Sequence, residues 1–91
     1  MARYQVTAIR MSGGIDLHHV TDYFWSENNQ EIGHPKAGAV LGLKSGLYSL
    51  FTKAGGSEAE VTVVPDSKHG DYLRSSPDNS KSDNLLSLPR K

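Results

Sequence analysis

Asp16, His18, His19 and Asp22 carry the side chains in this chain best suited to chemistry. Imidazole nitrogens and carboxylate oxygens are ligands for divalent transition metals, so the chemistry they would serve is that of a small metal-dependent enzyme. An extended backbone works against it. At about 3.3 Å per residue, His18 and Asp22 share a strand face but lie about 13 Å apart, beyond one ion with ligand distances of roughly 2 Å. Adjacent His18 and His19 point to opposite faces of a strand. Asp16 and His18 would need His34 or His69 to complete a site, and nothing in the spacing brings either near. The expectation is solvent-facing or hydrogen-bonded histidines, with no metal and no cofactor.

Other chemistries have weaker support. A serine, a histidine and an acid are all present, but such triads are recognised by geometry, and no G-x-S-x-G elbow occurs. The glycine pairs Gly13-Gly14 and Gly55-Gly56 lack the surrounding pattern of a phosphate-binding loop and read as turns. Tyr23, Phe24 and Trp25, with Arg3, Arg10 and Arg74 on neighbouring strands, resemble a stacking surface for single-stranded nucleic acid. Against it stands the charge. Ten basic residues balance ten acidic ones, and the first 45 residues hold four of each, so no electrostatic funnel for phosphates exists and nucleic acid is disfavoured. A protein-binding face needs no net charge and favours Tyr, Trp and Arg, which makes Tyr23, Trp25 and Tyr48 the candidate partner-binding residues.

The elements that must position these side chains belong to one domain, since 91 residues with 36 % hydrophobic content suit a single small core. With no cysteine there is no disulfide framework and no thiolate metal site. No apolar run of about 18 to 20 residues or signal-peptide pattern occurs, so neither membrane insertion nor export is expected, and the setting read from this is cytoplasmic.

Along the chain, Tyr4 to Met11 alternates as a strand until Ile9 and Met11 break phase, which predicts a bulge or burial of both faces. Ser12-Gly13-Gly14 is a turn. Val20 to Ser26 is a second strand whose buried face is ambiguous, because Val20 and Phe24 fall on one side and Thr21, Tyr23 and Trp25 on the other. Polar Glu27 to Gly33 reads as a loop. Pro35 opens a short helix and Gly46 closes it; Gly38 and Gly42 weaken it by about 1 kcal/mol each, so packing must hold it, with its backbone close against the sheet. Leu47 to Lys53 and Glu58 to Val64 form a hairpin with Ala59, Val61 and Val63 inward and Glu58 and Glu60 outward, closed by Pro65. Asp66 to Asp71 turns into a short strand, Tyr72 to Ser75. Residues 76–82 form a polar loop, and 83–91 is a leucine-bearing segment docked on the body.

Tyr4-Gln5-Val6-Thr7-Ala8-Ile9-Arg10, Tyr72-Leu73-Arg74-Ser75 and Asp83-Asn84-Leu85-Leu86-Ser87-Leu88-Pro89 together resemble a family of small bacterial proteins known only as a domain of unknown function. The C-terminal block is the more specific part, while Glu31 to Gly46 departs from the more hydrophilic helix of that family. The resemblance implies a compact α+β domain and transfers no functional residue.

These readings converge on a single α+β domain of order β-β-α-β-β-β, a mostly antiparallel sheet covered by one helix. Its expected role is non-catalytic: an inhibitor or adaptor, in one version phage-encoded, that masks a protein or protein complex or pairs with a second copy of itself. The alternatives are the histidine-dependent metalloenzyme and the single-stranded nucleic-acid binder.

Overall fold

The computed structural model describes residues 2–14, 16–54, 57–75 and 84–91. The chain forms a single small α+β domain built on a mostly antiparallel sheet. Its first strand, β1 (Ala2–Met11), lies at the centre. β2 (Val20–Glu27) pairs antiparallel with it, and β3 (Gln30–Pro35) pairs antiparallel with β2. Helix α1 (Lys36–Ser45) then crosses one face and delivers β4 (Tyr48–Ala54), which runs parallel to β1. β5 (Ser57–Glu60) returns antiparallel to β4, giving the sheet order β3-β2-β1-β4-β5. β6 (Thr62–Val64) and β7 (Tyr72–Arg74) form a separate two-stranded sheet packed against α1.

Two bulges decide which side chains share the core face. The register passes from Val6↔Trp25 to Ala8↔Phe24, so Thr7 is the extra residue on β1, and from Arg10↔Asp22 to Met11↔Val20, so Thr21 is extra on β2. Each bulge shifts the period of two by one residue. Ile9 and Met11 thereby join Tyr4 and Val6 on the core side, and Val20 joins Tyr23 and Trp25. Phe24 is left on the opposite face, under the guanidinium of Arg10 at 5.5 Å. The two extra threonines are themselves anchored: Thr7 Oγ1 donates to Phe24 O and Thr21 Oγ1 to Arg10 O, both at 3.3 Å.

β3 corrects the loop reading of Glu27 to Gly33. Asn28 and Asn29 both have positive φ, 53° and 65°, between the paired residues Glu27 and Gln30, which is the two-residue hairpin turn that matches strand twist. The strand is polar because it is an edge. The inward alternation of the second hairpin holds at Ala59 and Val61, which are buried, while Glu58 and Glu60 are exposed and Val63 is half-buried. At Val61 the chain leaves the main sheet, its N–H donating to Leu50 O at 3.0 Å, so the strand read as Glu58 to Val64 is two strands in two sheets.

Pro35 sits just before α1, where its missing N–H costs nothing, and Gly46 ends the helix at φ 75°. Leu47 N–H donates back to Gly42 O at 3.0 Å, the six-to-one bond of a Schellman ending. The core that α1 covers is formed by Val6, Ile9, Val20, Tyr23, Trp25, Ala39, Val40, Leu50, Val61, Leu73 and Leu85. Leu85 comes from a turn of 3-10 helix, Asn84–Ser87, packed on β1 and β4. Beyond it Ile9 N–H donates to Pro89 O at 3.0 Å and Lys91 N–H to Ile9 O at 2.9 Å. The polar stretch 76–82, and Asp83 with it, lies outside the described residues.

Candidate functional site

The histidines are gathered by a turn the sequence reading took as extended. Leu17–His19 is one turn of 3-10 helix, which rises about 2 Å per residue instead of about 3.3 Å and does not alternate its side chains across a sheet. The His18 and His19 ring centroids are 4.1 Å apart. Asp16, His18 and His19 each offer a ligand atom, and these atoms all lie within 4.8 Å of one another. The geometric case against a shared ion therefore fails at its premise. Asp22 takes no part: it sits on β2 opposite Arg10 and accepts a hydrogen bond from Thr21 Oγ1 at 2.8 Å.

His69, in the connection between β6 and β7, stacks on His18 with centroids 4.0 Å apart and planes 24° apart. Its Nδ1 lies 3.0 Å from Asp66 Oδ2. Asp66 also accepts from the backbone N–H groups of Lys68 and His69, and these bonds, the His69 side chain first, hold its carboxyl below the usual range. Desolvation, with the neighbouring His69 and His19, lowers the pKa of His18 and favours its neutral form. The cluster is braced from both sides. His19 N–H donates to Asp16 O at 2.9 Å, Ser12 N–H to His19 O at 3.0 Å, and Lys36 Nζ to His18 O at 3.1 Å. The loop closes so tightly over His19 that a Cβ on Gly14 would overlap the imidazole. His19 Nδ1 is buried with no hydrogen-bond partner.

The fourth histidine is elsewhere. His34 on β3 stacks on Trp25 with centroids 3.7 Å apart and planes within 6°, and its Nε2 lies 3.0 Å from Glu27 Oε2.

The aromatic candidates divide by burial. Tyr23 and Trp25 are 0 % and 1 % exposed and belong to the core, where the Thr21 bulge lets Val20 share their face. Tyr48 is half-buried, tilted against Trp25 at 5.4 Å and edge-on to Tyr4 at 5.9 Å, with its hydroxyl 3.4 Å from Gly38 O beneath α1. Burial raises its phenol pKa. Of the three, only Tyr48 retains side-chain contact with solvent. Two of the arginines named for nucleic-acid stacking are engaged within the fold: Arg3 lies 4.0 Å over Phe51 and pairs with Glu58 and Glu60, and Arg10 lies over Phe24.

The surface apolar side chains missed in the sequence reading are on α1 and just past it. Leu41 and Leu47 are 66 % and 69 % exposed. Leu41 edges an open groove of about 360 Å³ lined by Lys36, Ala37, Val40, Leu41 and Lys44 of α1 and by Gly70 and Asp71 from the turn before β7. Lys44 forms an ion pair with Asp71 across it, which holds the Asp71 carboxyl below its ordinary value.

No helix among the described residues is long and apolar enough to cross a membrane. A family model described as "Protein of unknown function (DUF3892)" matches residues 5–89, running through the α1 region as well as both ends. No curated protein and no solved structure matches the chain.

Proposed function

Because this chain belongs to the family described as Protein of unknown function (DUF3892), whose description carries no activity, we propose a function from its surface: a non-catalytic protein-binding module. Its site is the groove along α1, and its occupant is a short acidic segment of another protein carrying an apolar anchor. The observation that supports this is Leu41, two-thirds exposed on the rim of a preformed groove. Burying such a side chain contributes about 1.5 to 3 kcal/mol, which the isolated domain forgoes. Charge selects the partner. Lys36 and Lys44 lie two turns apart, about 12 Å along the helix, and the groove lining contains one acid, Asp71, against these two bases. Asp71 balances Lys44, so the lining keeps one net positive charge, and an apolar residue beside an Asp or Glu complements that pattern. In this reading Tyr48 contributes from below, as the support on which α1 rests, and Tyr23 and Trp25 contribute by filling the core. The setting proposed with it is bacterial and cytoplasmic, as an inhibitor or adaptor of a larger complex.

Selection of a displayed random-peptide library on the immobilised domain tests the reading. Enriched peptides should carry an apolar residue beside an acid, and Leu41→Asp should weaken their binding by about tenfold or more while Lys53→Gln, on β4, leaves it unchanged. Peptides that bind the Leu41→Asp variant equally well would overturn the proposal, as would no enrichment at all. A Leu41-dependent doubling of mass in sedimentation would instead identify a second copy of this chain as the occupant and displace the peptide reading.

A further inference from the structure

The histidine cluster lies outside the groove's lining and supports a separate inference. We propose that Asp16, His18 and His19 form a divalent transition-metal site, with His69 as its fourth ligand and zinc as the ion that fits best. Around a tetrahedral ion with bonds of about 2.0 to 2.2 Å, ligand atoms sit roughly 3.4 Å apart. The three ligand atoms here are within 4.8 Å of one another, so closure asks for side-chain movements on the order of 1 Å, well inside what imidazole and carboxylate rotations supply.

Three further observations point to a ligand. His19 Nδ1 is buried without a hydrogen-bond partner, and a buried nitrogen left that way is destabilising unless something binds it. The imidazole is also fixed in place, with Gly14 above it in a position where a side chain would displace the ring. Finally, His69 presents the partnership typical of a metal-bound histidine: a carboxylate, Asp66, on its Nδ1 at 3.0 Å, leaving Nε2 as the ligand atom. Its ring already lies 4.0 Å from that of His18.

The donor set is three imidazoles and one carboxylate, with no sulfur. Such a set suits zinc and takes cobalt or nickel more weakly; it is too rich in nitrogen for magnesium or calcium. Binding would tie the turn before β2 to the connection between β6 and β7, two parts of the chain joined in the described structure by ring stacking.

The test is zinc titration of the untagged, metal-stripped protein against a chromophoric chelator, followed by cobalt substitution. The expected result is one equivalent of zinc and a cobalt visible spectrum of tetrahedral type. Asp16→Asn, a nearly isosteric change at an exposed position, and His18→Ala should each weaken binding by about tenfold or more, and His34→Ala should not change it. His69→Ala should weaken zinc binding and convert the cobalt spectrum toward a five- or six-coordinate type. An unchanged spectrum would remove His69 from the site. Absence of zinc binding by the unaltered protein, or binding insensitive to both Asp16→Asn and His18→Ala, would overturn the proposal.

Discussion

Gly42 of α1 lies directly against the ring of Tyr48 on β4, so close that a Cβ at residue 42 would overlap the phenol. Gly38, one turn earlier, has open space where a Cβ would project, and its carbonyl receives the Tyr48 hydroxyl at 3.4 Å. Two glycines with the same intrinsic cost to the helix therefore have opposite roles. Gly38→Ala should stabilise the domain by about 0.8 to 1 kcal/mol, the ordinary gain of helix propensity. Gly42→Ala should instead destabilise it by about 1 to 3 kcal/mol, because Tyr48 must leave its place between α1, Tyr4 and Trp25. Urea unfolding of the two variants checks this, and two changes of the same sign would show that the helix does not rest on Tyr48.

His34 covers one face of Trp25 and so links the edge strand β3 to the core. His34→Ala should cost about 0.5 to 1.5 kcal/mol of stacking and move the Trp25 emission to longer wavelength, as water reaches the indole. Trp25→Ala should cost about 3 to 5 kcal/mol. Since Trp25 is the only tryptophan, the emission change needs no deconvolution. An emission maximum unaffected by His34→Ala would mean the stack does not persist in solution.

The C-terminal residues complete the core as well as cover it. Leu85 is fully buried, and Leu88 packs at the margin of the same cluster. Leu85→Ala should therefore destabilise by about 2 to 5 kcal/mol, against a much smaller effect for exposed Leu41→Ala, compared by thermal melting. Amide exchange adds a second check. The N–H of Ile9, donated to Pro89 O, should lose protection in a chain ending at residue 83, while that of Val61, donated to Leu50 O, should keep more of its own.

Glu31 on β3 is held by Lys91 Nζ at 2.7 Å and by Thr7 Oγ1, and these bonds, Lys91 first, lower its pKa from the ordinary 4.5. A carboxyl with a folded pKa below its unfolded one adds stability that is complete above about pH 4.5 and is lost as pH falls through the folded value. Lys91→Ala should raise the Glu31 pKa in a carbon-13 NMR titration and make acid unfolding slightly less steep. The stability effect should be small and salt-sensitive, because both side chains are well exposed to water. A Glu31 titration identical in both proteins would show that the pair does not form.

Local chemistry determined the parts of this fold that repeat a simple period. Alternation at Glu58 to Val61 set which side chains turn inward, and Pro35 and Gly46 marked the ends of α1, because these signals depend on a residue and its immediate neighbours. Local signals also included Asn28-Asn29, whose tolerance of positive φ marks the β2–β3 hairpin; the polar residues of an edge strand obscured it. Tertiary structure alone decided the rest. The burial of Val20 on the same face as Tyr23 and Trp25 follows from an extra residue at Thr21, which is extra only by comparison with the partner strand, and no single strand records its partner's register. The histidine cluster is likewise non-local: a turn replaces extended chain at Leu17–His19, and His69 arrives from the far end because β6 and β7 pack on α1 beside it. Spacing along a chain bounds distance only while the backbone conformation is known, and here that conformation is chosen by the packing around it.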